Sequence, residues 1–256
     1  MKDNAYLFGP FLGELSWEYF RFSPYAIYLK KEDPETKIVV FTRQSRFDLY
    51  GKYADILVPL QLEDQKENKQ KAFKLIGFDL LLEKKLNDIF RVKYKKQYFI
   101  KKHFCPDTSS LRYNLKWQFP RNKMDYDFLP RDGNLRTIKK IVPKKKFFII
   151  DEGYKGSFTE YNSITIESFS KLMTSEADNI SCTYVGCLIE LIKKSSFVIS
   201  NLSSDVGRLS LLLKKPLIYP KRSISQDSLN LLNPYKTPVI DCDTILEGIS
   251  IYEDNF

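Results

Sequence analysis

The run Ser196–Pro220, SFVISNLSSDVGRLSLLLKKPLIYP, sets hydroxyls, one acid and one glycine at the point where a strand gives way to a helix. SFVIS is apolar and β-prone, RLSLLLKK is a short amphipathic helix, and PLIYP reads as a second buried strand. Ser203, Ser204 or Asp205 at the N-cap would leave the backbone N–H groups near Val206–Arg208 unpaired. Such donors, at the positive end of a helix and the carboxyl end of a strand, suit a phosphate. Gly207 belongs to the same turn. Asp205 reads as the cap rather than a phosphate contact, because two anions repel. Arg208 either adds a charge or points to solvent. A second loop, after KFFIID, carries Gly153, Lys155 and Gly156. Its glycines permit close backbone approach and its lysine can neutralise phosphate, although a plain surface loop has the same composition.

Acids and further cations cluster early. Glu14 follows Gly13 where a helix begins, and Glu18 lies one turn later on the same face. A first-turn acid also favours the helix dipole without doing chemistry. Arg43 and Arg46 follow the strand KIVVFT and suit either an anionic acceptor or a structural salt bridge; Asp48 is a lesser acid candidate. The run Arg91–Phe104 interleaves Lys and Arg with Tyr94, Tyr98 and Phe99. It reads as a stacking and phosphate-binding platform or as an amphipathic helix with its lysines outward. Metal chemistry has little to work with. Cys105, Cys182, Cys187 and Cys242 form no CxxC pair, and His103 is the single histidine. Asp241-Cys242-Asp243 is formally DxD but reads as a turn at the end of a late strand. Free thiols point to a reducing compartment.

These residues need a scaffold. Ala5–Phe8, Lys37–Thr42 and Ala54–Pro59 read as strands, with helical spacing from Glu14 to about Lys31 that Pro24 must kink or restart. Glu63 to about Phe104 reads as one or two helices, and Pro106–Asp132 as irregular. A second alternation follows: strand Lys146–Asp151, helix Ile164–Met173, strand Ile180–Val185, helix Leu188–Lys194, strand Phe197–Ser200, and late strands at Leu217–Tyr219 and Val239–Asp241. The expected class is α/β, with two Rossmann-like domains, 1–132 and 133–256, facing a cleft. At 43% hydrophobic residues the chain can bury real cores, and its 41 Lys+Arg against 32 Asp+Glu favour polyanionic partners or a merely solvated surface. The N-terminus lacks the pattern of a signal peptide, and no apolar run reaches the ~20 residues of a membrane span. The expectation is a cytoplasmic protein.

GPFLGELSWEYFRFSPYAIYLKKEDPETKIVVFT and SNLSSDVGRLSLLLKKPLIYP together resemble the GT-B glycosyltransferases, in their heptosyltransferase-like branch. Glu14 stands where that branch usually has Asp, and Arg208-Leu209-Ser210 where a His is usually near. The resemblance implies a transferase that moves a sugar from a nucleotide-sugar donor to an acceptor hydroxyl, by inversion and without metal or other cofactor. It implies Glu14, with Glu18 next, as the base, and a donor site at Gly153, Lys155, Gly156, Ser203, Ser204, Asp205, Gly207 and Arg208. Arg43, Arg46 and Tyr94 would then meet the acceptor. That acceptor is a modified, hydroxymethylated DNA base flipped into the cleft, or a surface glycan or lipid-linked sugar. A non-catalytic nucleotide-sugar or polyanion-binding protein of the same fold is the alternative. Kinase-like and dinucleotide-binding readings lack GxxxxGK[ST] and GxGxxG.

Overall fold

The computed structural model describes residues 3–9, 11, 15–59, 98–104, 120–151, 162–175, 183–220, 229–230 and 232–256. It divides into two compact units, Met1–Leu129 and Pro130–Phe256.

Unit 1 is built on β1 (Asp3–Phe8), β2 (Lys37–Thr42), β3 (Ile56–Pro59) and β4 (Tyr98–Phe104), in the order β3-β2-β1-β4 and parallel throughout. Parallel strands are buried on both faces, hence the near-continuous apolar run of β2, where Ile38, Val39, Val40 and Phe41 are fully buried. Between β1 and β2 the chain forms α1 (Leu15–Trp17), a π-helical turn (Glu18–Phe22) and α2 (Ser23–Glu32). Pro24 sits in the first turn of α2 directly after the π-helical turn, and the helical backbone of Phe22 and Ser23 carries the one into the other without a break. Tyr98–Phe104 corrects the helical expectation for the end of the basic-aromatic run. Its seven residues, YFIKKHF, pair with β1 from Asp3↔Tyr98 to Phe8↔Phe104. Phe104 is what holds it. Its ring stacks on Phe8 at 4.7 Å and meets Tyr25 edge-on at 5.4 Å, while Phe22 packs edge-on against Phe8 at 5.4 Å.

Unit 2 contains α3 (Asp132–Ile141), β5 (Phe148–Ile150), β6 (Ser163–Thr165), α4 (Ile166–Ser175), α5 (Tyr184–Lys194), β7 (Val198–Ile199), α6 (Asp205–Leu212), β8 (Leu217–Pro220), β9 (Val239–Cys242) and α7 (Ile245–Asn255). Its five strands run parallel in the order β6-β5-β7-β8-β9. Two expectations are corrected here. Thr183–Val185 is not strand: the Thr183 hydroxyl accepts from Gly186 N at 3.0 Å, and this cap starts α5 four residues earlier than the apolar spacing suggested. Ser163–Thr165 is a short strand, so the helix expected from Ile164 begins at Ile166 instead. The core joins Phe148, Phe197, Ile199, Ile218, Ile240, Cys242 and Ile249, with the rings of Phe148 and Phe197 stacked at 4.7 Å. α7 lies so close that a Cβ on Gly248 would come within 2.4 Å of Ile218 Cγ2. Among the described residues, no helix is long and apolar enough to cross a membrane, and no group of three or more His, Cys, Asp or Glu could hold a metal ion. Cys187 and Cys242 are buried free thiols.

Candidate functional site

Open α/β sheets present their ligands at the carboxyl ends of their strands. In unit 1, Gly9 follows β1 with φ +106°, and a Cβ there would sit 2.2 Å from the Phe41 carbonyl oxygen. Only glycine lets the chain pass this close to β2. Gly9 N donates to Phe104 O at 2.8 Å and Phe11 N to Phe41 O at 3.1 Å, so this crossing ties β1 to both neighbours.

Beside it lies a buried charge cluster. Glu18, in the π-helical turn, is fully buried. Its Oε1 accepts from Thr42 Oγ1 at 2.6 Å and from Tyr50 Oη at 2.8 Å, and its Oε2 accepts from Arg46 Nη1 at 2.8 Å. A π turn carries one residue more than an α turn and is frequent at functional sites. Ser23 Oγ donates to Glu18 O at 3.1 Å, within that turn. Burial pushes the Glu18 carboxyl above its usual range, while Arg46 and the two hydroxyls pull it down; burial beside Glu18 also holds the Tyr50 phenol well above its usual range. Arg46 thus takes the salt-bridge role of the two weighed for it. Arg43 does not. Among the described residues, its Nε is the buried side-chain nitrogen or oxygen that has no hydrogen-bond partner. An unpaired buried donor of this kind costs about 1–3 kcal/mol. Burial and the Arg46 charge both lower the Arg43 pKa, and Glu18 opposes them. Asp48 is fully buried.

In unit 2 the β7–α6 turn has the expected form. Ser204 is the N-cap, its Oγ accepting from Val206 N at 3.1 Å. Asn201 organises the residues before it: its Oδ1 accepts from Ser203 N and Ser204 N, each at 2.9 Å, and from Ser203 Oγ. Arg208 bonds back through Nε to Leu202 O at 2.8 Å, and its N–H reaches Ser204 O at 3.1 Å. The expectation of unpaired N–H groups near Val206–Arg208 is therefore corrected at Val206 and at Arg208. Val206 and Arg208 N–H are bonded within the turn, because the cap and the helix supply acceptors. What the turn offers an anion is the helix dipole, the Ser204 hydroxyl proton and the Arg208 guanidinium. Gly207 is required: a Cβ there would meet Asn201 O at 2.3 Å. Asp205 is not the cap expected of it: it is the first helical residue of α6, and its Oδ1 lies 3.9 Å from Arg208 Nη1. Across the same sheet edge, Ser200 Oγ donates to the buried Asp151 Oδ2 at 2.5 Å, joining the ends of β7 and β5.

Sequence reasoning anticipated the Ser203–Arg208 turn and the place of Arg43 and Arg46. It did not anticipate Asn201, Asp151, or the partners of Glu18, which lie 24 to 32 residues away. Asn two residues before Ser203 is the signal for the first, since Asn side chains bond backbone a few residues on. Glu14, Tyr94, Gly153, Lys155 and Gly156 lie outside the described residues.

No known sequence family matches the chain, and no curated protein matches it. Solved structures do. The E. coli ADP-heptose lps heptosyltransferase II superposes with a TM-score of 0.51 at 12% identity, covering 98% of this chain and 98% of that one. E. coli heptosyltransferase WaaC with ADP gives 0.48 at 8% identity over 98% of each chain. A glycosyl transferase family 9 structure from Veillonella parvula DSM 2008 gives 0.47 at 10% identity, over 99% of this chain and 88% of that one. The chain has the α/β fold of the GT-B heptosyltransferases, with two parallel sheets.

Proposed function

We propose that this chain is a glycosyltransferase that uses a nucleotide-sugar donor. The observation that carries the reading is the capped β7–α6 turn, with Ser203, Ser204 and Arg208 at the carboxyl edge of a parallel sheet, within a fold shared end to end with a heptosyltransferase. In this reading the donor diphosphate rests on that turn and on Gly153, Lys155 and Gly156. Glu14 takes the proton of the acceptor hydroxyl. The acceptor oxygen bonds to the anomeric carbon from the face opposite the diphosphate, and the carbon–oxygen bond to the diphosphate breaks. The helix dipole and the cations receive the charge that develops on the leaving group. Glu18 serves as a clamp: it has no exposed surface, and its oxygens hold β2, Arg46 and Tyr50 in place.

The test is a thermal-shift panel of nucleoside diphosphates and nucleotide sugars. A rise in Tm with one nucleotide sugar, lost in Ser204→Arg, supports the donor site; no rise with any member overturns the reading. The donor so identified then enters an acceptor screen containing hydroxymethylated DNA and phosphorylated glycans. Glu14→Gln separates an enzyme from a binding protein. Donor binding should persist while turnover falls by roughly 10²-fold or more; unchanged turnover moves the base elsewhere.

A further inference from the structure

We propose that Arg43 is the receptor in unit 1 for an anionic group, a phosphate or carboxylate, and that the acceptor carries this group. Only the word acceptor rests on the glycosyltransferase reading; the anion site stands on the geometry of unit 1. Arg43 is the first residue after β2, at the carboxyl edge of a parallel sheet. Two guanidinium groups and the Glu18 carboxylate meet there. Both Glu18 oxygens are engaged, one by Thr42 and Tyr50 and the other by Arg46. Glu18 is therefore taken up by Arg46 and the two hydroxyls, and among the described residues no ion pair reaches Arg43.

An arginine cannot relieve this by losing its proton under ordinary conditions. A purely structural arginine would have its donors satisfied, as Arg46 has. Arg43 instead keeps a buried Nε–H with no acceptor among the described residues, while the residue as a whole is only partly buried. The guanidinium gains by turning its Nε edge toward any anion that arrives at the exposed side. Nε–H and one Nη–H point the same way and match two oxygens of a phosphate or carboxylate, a fit that lysine lacks. The residue thus holds a cost in the free protein that binding removes.

This predicts a combination of effects that a structural role would not give. The full-length protein is titrated with inorganic phosphate, and separately with acetate, against chloride at fixed ionic strength, with Tm as the readout. Wild type should show a saturable rise. Arg43→Met keeps an apolar stem and removes the charge. It should melt at or above the wild-type temperature without added anion, and its response should weaken at least tenfold. Arg43→Lys should retain only part of the response, and Lys171→Met, at an exposed cation of unit 2, should keep it. A response to acetate rather than phosphate names a carboxylate as the group. The proposal is overturned if neither anion raises the wild-type Tm, if Arg43→Met melts several degrees lower, or if the response survives undiminished in Arg43→Met or is lost in Lys171→Met. The nucleotide-sugar panel, run on the same variants, keeps the two readings apart. An Arg43-dependent phosphate response with no nucleotide shift retains the anion site and removes the donor reading. A nucleotide shift with no Arg43-dependent response does the reverse.

Discussion

At the residue scale, the cluster around Glu18 divides into a paired cation and an unpaired one. Taking one partner from a buried pair leaves an uncompensated charge, which costs about 3–5 kcal/mol, whereas replacing both with apolar groups is often close to neutral. Glu18→Met or Arg46→Met alone should therefore destabilise unit 1 by roughly that amount, and Glu18→Met/Arg46→Met by far less than the sum of the single changes. Chemical denaturation of the four proteins checks this; simple additivity would show that the 2.8 Å contact contributes little. The sequence showed these residue types but not the pairing, since the partners lie on a π turn, a strand and a 3₁₀ segment (Gln44–Leu49) that only the fold brings together. Tyr53 offers a test by pH. Its hydroxyl donates to Asp127 Oδ2 at 2.7 Å, and burial, with that bond, raises its pKa to about 12. A folded-state pKa above the unfolded value of about 10 means that the folded form holds the proton longer. The contribution is complete below pH ~10 and is lost as pH rises toward ~12. Between those values Tyr53→Phe should lose stability less steeply than wild type in urea unfolding; parallel curves would remove the bond from the account.

At the element scale, what was legible followed from local chemistry. The strand–turn–helix–strand of Ser196–Pro220 could be read because small polar residues, a cap and an amphipathic run agree within one short segment. β4 could not, because in YFIKKHF the aromatics and the lysines come in adjacent pairs that lack the alternation of a strand, and its partner β1 lies far back in the chain. α5 starts earlier than its sequence suggests for the opposite reason: β-branched Thr183 and Val185 favour strand, but the Thr183 cap decides. α7 went unread because Gly248 and the β-branched isoleucines weaken its helical pattern. Gly248 is there because its helix packs against Ile218 and Cys242. The same reasoning gives a prediction for α6. Alanine favours a helix over glycine by about 1 kcal/mol. At Gly207, however, a Cβ would press on the backbone oxygen of Asn201 at 2.3 Å, which no side-chain rotation relieves. Overpacking of this kind costs about 1–3 kcal/mol, so Gly207→Ala should be a net loss. It should also displace the Asn201–Ser204 turn and abolish the nucleotide-sugar shift. Gly248→Ala is the control. It should lower Tm through the clash with Ile218 but leave the nucleotide shift in place, and loss of the shift there would mean that Tm alone drives the effect.

At the scale of the whole molecule, each unit closes its own parallel sheet over its own core, and each brings its own charged edge. The halves were legible because strands and helices alternate twice along the chain; the division of tasks between them was not, since both halves carry arginines after a strand. That division can be measured. A ligand that binds only the folded form stabilises it by about 2.7 kcal/mol at a hundredfold excess over Kd, a ~100-fold slowing of amide exchange through the openings it suppresses. The proposed donor contacts lie in unit 2, at the turn before α6. The proposed anion contact lies in unit 1, between β2 and the 3₁₀ segment. Hydrogen exchange should therefore show the identified nucleotide sugar protecting peptides across Ile199–Leu212, with little change at Thr42–Tyr50. The anion that raises Tm, phosphate or acetate, should do the reverse, and Arg43→Met should erase its protection alone. Protection of both regions by one small ligand would mean that a single site draws on both charged edges. The assignment of donor to one unit and anion to the other would then fail, because neither edge could be emptied without the other responding.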